Sequence, residues 1–382
     1  MKVLFDVTHL LHSGIEKSEN YLLNGLIPAM LQIQQKYGAD VEFLNLYFGQ
    51  NYSYLPGFIK KNKLHSFMFP KKLLHLLWSN FSFPDLKNFF GKFDIVHSPY
   101  YSIPVYAGAE KILTIQDIKF FISDEPKASC ITPLFQKNQL LRKNIYNASQ
   151  IITSSNFTKN EIVSNFNIKP EIISVVYNGM DNPQRIDLHD ELIYLRLQGI
   201  QKFKYIFLPN ASYFSHSILK QIVNTFNKSN AAKNFKLALG FCAGDAGADT
   251  FSEKNILPKT VCVKISNPIE ENVLFNNSLF VTYTPEYDGS GLSLIKAFSF
   301  GKAVISSDSS ALSEIAGDAA CTVDPNSEDE FINAFNNLLN LESRKKFERK
   351  AKKRSVNFSW SKMAAGYFQV YNKSLQFNNS LK

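Results

Sequence analysis

The residues best suited to chemistry lie in the segment PEYDGSGLSLIKAFSFGKAVI, at positions 285–305. Its Gly-Ser-Gly turn at 289–291 precedes an apolar stretch with helical spacing. Glycines at such a turn let backbone N–H groups point outward together, and the helix dipole behind them favours an anion such as phosphate. Asp288 precedes the turn and Lys296 follows it, so a carboxylate and an ammonium group flank the predicted anion site.

A second glycine turn occurs near the N-terminus. Gly14 follows a predicted strand at 2–7 and precedes a predicted helix at 15–36. A Gly-x-Gly turn alone is weak, since sharp chain reversal also explains it. At 289–291, however, strand, turn, helix and strand follow one another in order, which favours an anion site at that turn. Two glycine turns at facing strand ends would suit a diphosphate held between two domains.

Short apolar runs alternate with helical segments from one end of the chain to the other and predict buried strands. In the first half these strands are 2–7, 94–98, 111–116, 150–155 and 172–178. In the second half they are 204–210, 235–241, 260–265, 279–284, 302–307 and 319–324. The alternation predicts an α/β fold with two doubly wound Rossmann-like domains facing a central cleft.

Interruptions in this alternation predict the domain boundaries. The first domain covers 1–185, and the polar segment 186–203 is a linker. The second domain covers 204–357. The remaining residues, 358–382, form a terminal helix that begins near Trp360.

The net charge of +9 draws attention to two basic clusters. The cluster SRKKFERKAKKRS follows a helical pattern and is interpreted as a solvated face. The cluster at 60–78 combines lysines with leucines and a tryptophan, which suits an anionic membrane surface, although packing of these apolar residues under a loop explains it equally well. No recognised nucleic-acid module is present, so no nucleic-acid partner is expected.

The hydropathy of the chain predicts where the protein is located in the cell. No apolar run approaches the length of a membrane span, and the N-terminal segment MKVLFDVTHLLHSG reads as a first strand and not as a signal peptide. We therefore expect a cytoplasmic protein, with peripheral attachment to the inner face of the membrane as a further option.

Five segments of the sequence resemble glycosyltransferases of the GT-B fold, and in particular the retaining enzymes of family 4, the group 1 glycosyltransferases. They are HSGIEKSENYLLNGL, DIVHSPYYSIP with LTIQDIKFF, ASQIITSSNFTKNEIVSNFNIKPEIISVVYNGMD, PEYDGSGLSLIKAFSFGKAVISSDSSALSEIAGDAACTVDP and FSWSKMAAGYFQVY. The fourth segment is the most specific. The resemblance extends along almost the whole chain.

The resemblance implies transfer of a sugar from a nucleotide-activated donor with retention of configuration, without a bound metal or other cofactor. It implies an acceptor-side first domain and a second domain for the nucleotide sugar. It also implies that the terminal helix at 358–382 packs back on the first domain. Backbone amides and basic side chains would stabilise the leaving diphosphate. The implied donor-binding residues are Gly14, Ile15, Lys17, Ser215, Gly289, Ser290, Gly291, Leu292 and Lys296. The implied catalytic residues are Asp288, Gln116 and Asp117.

Two departures from the family pattern concern acidic positions. Family members carry two glutamates eight positions apart, the first contacting the donor sugar and the second the ribose. Asp288 stands at the first position and Lys296 at the second. A charged lysine cannot accept a hydrogen bond. Either Lys296 donates to a nucleotide hydroxyl or phosphate, or the ribose contact has been lost.

Two further departures replace a histidine and a pair of basic residues of the family pattern. Gln116 replaces a histidine commonly found before Asp117, and glutamine cannot carry a proton near neutral pH. Phe214 and Ser215 align with an Arg–Lys pair that cradles the diphosphate in the family. On the acceptor side, His97 and His12 are candidates for substrate contacts, with a structural role as the alternative for each.

The sequence thus leads to two hypotheses. The first is a retaining glycosyltransferase that uses a glycan or lipid-linked acceptor in surface polysaccharide, lipopolysaccharide or glycolipid assembly. The alternative is a catalytically degenerate GT-B protein that binds or stabilises another glycosyltransferase. An active enzyme would release nucleoside diphosphate from some activated sugar, whereas a degenerate partner would not.

Overall fold

A computed structural model describes residues 1–8, 17–47, 57–60, 63–99, 103–122, 134–180, 187–242 and 259–380. The chain forms two compact units. The first consists of Met1–Gly179 together with Ser359–Lys382, and the second of Met180–Phe358.

The first unit is built on a seven-stranded sheet whose paired strands are all parallel, in the order β3-β2-β1-β4-β5-β6-β7. Its strands are β1 (Lys2–Asp6), β2 (Asp40–Tyr47), β3 (Leu64–Phe69), β4 (Ile95–Ser98), β5 (Glu110–Ile115), β6 (Gln150–Thr153) and β7 (Ile173–Val175). The order reverses between β1 and β4. That reversal is the position where doubly wound sheets bind ligands, outside the carboxyl ends of the strands.

Helices cover this sheet, and the last one closes the unit. The described helices are α1 (Lys17–Ile33), α2 (Gly57–Lys60), α3 (Lys71–Phe81), α4 (Lys87–Phe90), α5 (Lys119–Ile122), α6 (Leu134–Asn147), α7 (Asn156–Phe166) and α16 (Trp360–Ser380). Trp360, at the start of α16, fills a recess lined by Gly25 and Gly179: a Cβ added to either glycine would lie 2.1 or 2.4 Å from its ring. The prediction that the terminal helix returns to the first domain is confirmed.

The second unit carries a six-stranded parallel sheet in the order β10-β9-β8-β11-β12-β13. Its strands are β8 (Tyr205–Leu208), β9 (Lys236–Cys242), β10 (Thr260–Ile265), β11 (Val281–Tyr283), β12 (Val304–Ser307) and β13 (Cys321–Val323). Its helices are α8 (Leu188–Leu197), α9 (His216–Lys228), α10 (Ala231–Asn234), α11 (Pro268–Asn277), α12 (Leu292–Ser299), α13 (Ser310–Ala316), α14 (Glu328–Leu339) and α15 (Leu341–Ser355). Here the order reverses between β8 and β11.

The segment predicted as a linker, 186–203, instead contains α8 and belongs to the second unit. Asp187 caps α8 by accepting a hydrogen bond from the N–H of His189. The buried carboxylate of Glu191 accepts hydrogen bonds from the side-chain amides of Asn276 and Asn277, which anchors α8 to α11. The polar residues that interrupt the apolar pattern are therefore a helix cap and a buried anchor.

Candidate functional site

The glycine turn at 289–291 follows β11, at the strand-order reversal of the second sheet. Asp288 Oδ1 accepts hydrogen bonds from the N–H of Ser290 at 2.8 Å, from the N–H of Gly291 at 2.7 Å and from the Ser290 hydroxyl at 3.1 Å. The two N–H groups that were predicted to bind phosphate thus donate to the protein's own carboxylate. The physical reason is the short aspartate side chain, which favours a local turn of this kind.

The other oxygen of the Asp288 carboxylate accepts fewer hydrogen bonds. Asp288 Oδ2 accepts a hydrogen bond from the hydroxyl of Tyr283 at 2.9 Å, and a carboxylate oxygen has room for a second donor. Burial and the adjacent Asp288 raise the pKa of Tyr283 well above its usual value, so this phenol stays a donor. Asp288 therefore holds the turn with one oxygen and offers the other, in a half-buried position, to a ligand.

A serine on the next helix fixes the same turn from its other side. The N–H of Asp288 donates to Ser310 Oγ at 3.3 Å, and its carbonyl accepts from the N–H of Ala311 at 3.1 Å. Ser310 has a φ of +56°, a left-handed conformation that is unusual for a residue with a side chain. Sequence reasoning did not single out Ser310, because this contact spans 22 residues of the chain.

The first N–H groups of α12 provide an alternative anion site one step further along the chain. Within the described residues, no acceptor pairs with the N–H of Leu292 or Ser293, which are the first two residues of α12. The side-chain amide of Asn210, just after β8, donates to Ser293 Oγ at 2.8 Å and so bridges the two strands at the reversal. Among the predicted donor-binding positions that the structure describes, Leu292 has a backbone N–H group without an acceptor.

Lys296 carries its own counterion. Its Nζ lies 2.6 Å from Glu271 Oε2 on α11 and 5.5 Å from the centre of the Phe275 ring. Both partners are largely buried, with side-chain exposures of 13% for Lys296 and 21% for Glu271. A carboxylate therefore accompanies the lysine that stands at the second acidic position of the family pattern. Glu271 lies 25 residues away in sequence, so no local signal pointed to it.

Phe214 and Ser215 have structural contacts at the start of α9. Phe214 is buried and packs edge-on against Tyr283, with ring centres 5.8 Å apart. Ser215 caps α9 by accepting a hydrogen bond from the N–H of Ile218. These two residues bring no positive charge to the start of α9, and the loss of an Arg–Lys pair there stays a prediction.

Gln116 and Asp117 follow β5 in the first unit. The Gln116 side-chain oxygen accepts from the amide of Asn178 at 3.0 Å, and its backbone carbonyl accepts from the Ser154 hydroxyl. Asp117 accepts from the N–H of Lys119 at 3.1 Å, which starts the single-turn helix α5. Both side chains are half-buried, so each has a structural contact and retains some access to solvent.

His97 does not reach an acceptor site. It is fully buried, with Nδ1 2.5 Å from the hydroxyl of Tyr371 and Nε2 2.8 Å from Thr114 Oγ1. Burial lowers the pKa of His97 to about 3, so the ring is neutral at physiological pH. The acceptor-side prediction for His97 is replaced by a structural role, because Nδ1 connects the sheet to Tyr371 on α16 and Nε2 connects β4 to Thr114 on the neighbouring strand β5.

Other predicted residues lie outside the described ranges. Gly14, Ile15 and His12 belong to this group, and Lys17 is described only as the first residue of α1. Sequence analysis did not identify Asp6 as a candidate. It ends β1 at the reversal of the first sheet, accepts from the N–H of Thr8 at 2.9 Å, and has a pKa raised by burial to about 6.

The segment 60–78 divides between core and surface. Leu74 and Trp78 are buried against the first sheet, whereas Leu73 and Leu76 are exposed by 44% and 57%. The packing interpretation therefore holds for the inner face of α3, and attachment of its outer face to a membrane stays a prediction. Among the described residues, no helix combines the length and the apolar character needed to cross a bilayer.

In the part of the chain that the structure describes, no group of three or more His, Cys, Asp or Glu side chains is arranged to hold a metal ion.

Two family models match the sequence. The model described as Glycosyltransferase Family 4 matches residues 49–182, and the model described as Glycosyl transferases group 1 matches residues 246–354. The first match lies almost wholly in the first unit and the second lies in the second unit. No curated protein matches the chain by sequence.

Solved structures match almost the full length of the chain. A glycosyltransferase from Rickettsia africae is 14% identical, covers 98% of both chains and has a TM-score of 0.66. HepE of Anabaena in complex with UDP and glucose is 13% identical, covers 96% of this chain and 97% of its own, and has a TM-score of 0.68. WaaG, a glycosyltransferase involved in lipopolysaccharide biosynthesis, is 11% identical, with coverages of 96% and 99% and a TM-score of 0.67. These similarities confirm the predicted class of two Rossmann-like domains with the GT-B fold.

Proposed function

Because the chain belongs to the glycosyltransferases of group 1 and family 4, we propose that it transfers a sugar from a nucleotide sugar to a glycan or lipid-linked acceptor. We propose retention of configuration, no bound metal, and a role in assembling surface polysaccharide or glycolipid. HepE of Anabaena is described with UDP and glucose, and WaaG with lipopolysaccharide biosynthesis, which supports this donor and acceptor class.

One observation carries the proposal: the unpaired N–H groups of Leu292 and Ser293 at the strand-order reversal of the second unit. Two N–H groups at a helix N-terminus stabilise the negative charge that develops on a leaving diphosphate. They are positioned before the substrate arrives, because Asp288 and Ser310 fix the turn that precedes them. In this proposal the chain stabilises the leaving group by position and charge, with no obligatory protein nucleophile.

We assign the donor sugar to Asp288 Oδ2 and the nucleotide to the region of Glu271. Oδ2 is the carboxylate oxygen with spare accepting capacity, so it accepts from a sugar hydroxyl. Glu271 supplies the carboxylate that Lys296 cannot, and Lys296 holds it in place. Replacing Glu271 by glutamine should weaken binding of UDP but leave binding of 2′-deoxy-UDP unchanged. Equal losses for the two nucleotides would contradict a contact with the ribose.

A donor panel tests the main proposal. The full-length protein is heated with UDP-, GDP-, ADP- and dTDP-sugars, and one class should raise the melting temperature. With that donor and an acceptor, the protein should release nucleoside diphosphate. Indifference to all four classes would exclude a donor site.

The alternative function is that of a catalytically degenerate binding or stabilising partner of another glycosyltransferase. Phe214 and Ser215 favour it, because a buried ring and a helix cap occupy positions where the family pattern has two cations. A protein of this kind would release no nucleoside diphosphate from any donor, and it would be recovered in complex with an active enzyme.

A further inference from the structure

The first helix of the second unit, α8, exposes apolar side chains. Its inner side packs into the unit through Glu191 and Leu195, which are both buried. Leu192, Ile193 and Leu197 are exposed by 46%, 47% and 78%. We call these three residues the α8 surface. A surface helix normally carries polar groups on its outer face, so α8 leaves apolar area exposed to solvent.

The spacing of these residues explains their exposure. Ile193 and Leu197 are four positions apart, so they lie one turn from each other on the side of α8 opposite Glu191 and Leu195. Leu192 lies at the edge between the two sides. Because the inner side is held by the hydrogen bonds from α11 to Glu191, the α8 surface projects from a firmly anchored helix.

Two more exposed apolar residues lie on the segments next to α8. Phe203 is exposed by 47%, and its N–H donates at 2.7 Å to the carbonyl of Asn277, whose side chain donates to Glu191. Ile269 is exposed by 57% and lies in the first turn of α11, which packs against α8. Single exposed hydrophobic residues are ordinary, but a concentration of this kind marks an interaction site.

The charges along α8 have opposite signs at its two ends. Asp187 and Asp190 lie at its start, and Arg196 lies in its last turn, followed by Lys204. All four side chains are exposed. Among the residues that the structure describes, neither Asp190 nor Arg196 has an ion-pair partner. They are not neighbours on the helix, because six positions separate them by about 9 Å along the axis.

We propose that a second copy of the chain covers the α8 surface, with the two α8 helices antiparallel about a two-fold axis. In this arrangement the acidic end of each helix faces the basic end of the other, and the two helix dipoles are opposed. Ile193 and Leu197 of both copies form the apolar centre of the contact. An anionic bilayer is a poorer occupant, because Asp187 and Asp190 would repel its headgroups. The small apolar area makes the dimer a weak one.

Analytical ultracentrifugation of the full-length protein measures this self-association. We expect a dimer whose proportion rises with protein concentration. The double variant Ile193→Ser/Leu197→Ser should weaken the dimer by roughly tenfold or more, since it removes apolar area from the centre of the contact. The matched control is Leu341→Ser/Val356→Ser, which changes two residues of the second unit exposed by 55% and 66%, and it should dimerise like the unmodified protein.

Two charge reversals test the antiparallel arrangement. Asp190→Arg brings like charges together with Arg196 of the other copy, and Arg196→Asp does the same with Asp190. Each variant alone should therefore dimerise more weakly than the unmodified protein. An equimolar mixture of the two variants should recover dimers, because each chain then supplies the charge that the other lacks at both contacts. Misfolding cannot produce this recovery, since mixing leaves the fold of each chain as it was.

Three outcomes would overturn the proposal. They are a monomer at every protein concentration, equal dimerisation of the two double variants, and a mixture of the charge reversals that associates no better than either variant alone. All of these measurements are made without nucleotide or acceptor. Their result is therefore independent of the sugar-transfer proposal.

Discussion

At the scale of single residues, Asp288 determines which backbone N–H groups of its turn already have an acceptor. Its carboxylate reaches the N–H groups of Ser290 and Gly291 only because the side chain is short and the turn brings both amides to one oxygen. The glycine turn therefore holds an internal anion, and the available helix N–H groups begin at Leu292.

The turn also depends on a glycine that admits no side chain. Gly291 has a φ of +61°, and an added Cβ would lie 2.2 Å from Ile315 Cδ1. Gly291→Ala should lower the free energy of unfolding by about 2–4 kcal/mol, since strain of the left-handed backbone adds to the clash. Urea denaturation measures this loss.

Gly301 provides the matched control. It has nearly the same φ, +63°, but nothing lies within 4 Å of an added Cβ. Gly301→Ala should therefore lower the free energy of unfolding by only about 1–2 kcal/mol, from backbone strain alone. Equal losses at the two glycines would show that Ile315 moves aside without cost.

The Lys296–Glu271 pair permits a charge-swap experiment. Lys296→Met leaves a largely buried carboxylate unpaired and should lower the free energy of unfolding by about 1–3 kcal/mol. Lys296→Glu should be worse, because two carboxylates then face each other. The double variant Lys296→Glu/Glu271→Lys should recover most of the loss in urea denaturation. No recovery would mean that the pair contributes little to stability.

At the scale of elements, a buried lysine ends helix α11. Lys302 donates to the carbonyls of Asn276 at 2.7 Å and Ser278 at 2.9 Å, which are among the acceptors that a helix end leaves unpaired. Burial lowers the pKa of Lys302 from 10.5 to about 8. The helix end is thus capped by an ammonium group that is costly to keep charged.

The lowered pKa of Lys302 predicts that the free energy of unfolding depends on pH in the alkaline range. Because the pKa of Lys302 is lower in the folded state, the unfolded state binds more protons between pH 8 and 10.5. The free energy of unfolding should therefore rise through this range, by roughly 3 kcal/mol from Lys302 alone. Urea denaturation at pH 7.5 to 10.5 should show this rise in the unmodified protein and lose it in Lys302→Met. The exposed Lys353→Met is the control, and a rise that persists in Lys302→Met would refute the assignment.

Helix α16 is attached to the first sheet by a buried polar chain. The hydroxyl of Tyr371 lies 2.5 Å from His97 Nδ1, and Thr114 bridges the other ring nitrogen to Tyr367. Tyr371→Phe leaves a buried ring nitrogen unpaired and should lower the free energy of unfolding by about 1–3 kcal/mol. His97→Phe/Tyr371→Phe removes both polar groups and should lose less than the sum of the single changes in urea denaturation. Strict additivity would argue against this hydrogen bond.

At the scale of the whole molecule, the two units differ in how the chain builds them. The second unit is one continuous segment with its own sheet, whereas the first needs residues from both ends of the chain. Residues 180–358 should therefore fold alone and melt cooperatively. Residues 1–179 without α16 would leave the recess around Trp360 empty and should lack a cooperative transition. Circular dichroism during heating distinguishes the two outcomes, and a cooperative melt of 1–179 would show that α16 is dispensable.

The sequence alone determined the alternation of strands and helices, because buried parallel strands and amphipathic helices leave local periodic signals. The GT-B class and the return of the terminal helix followed from the resemblance of sequence segments to a known family. The sequence did not predict strands β2 and β3, because no apolar run marks either of them. Strand β2 carries Glu42 and Asn45 in its buried interior, and edge strand β3 is only partly covered. Buried polar groups and exposed edges both erase the pattern on which strand prediction depends.

Only the tertiary structure decided what the polar residues do. Asp288 faces its own turn, Lys296 meets Glu271 from another helix, and His97 meets a tyrosine 274 positions away. The same applies to α3, where the fold buried Leu74 and left Leu76 exposed. Hydrogen bonds and charge pairs depend on which distant group lies within about 3 Å, and the local pattern of residue types carries no record of that distance.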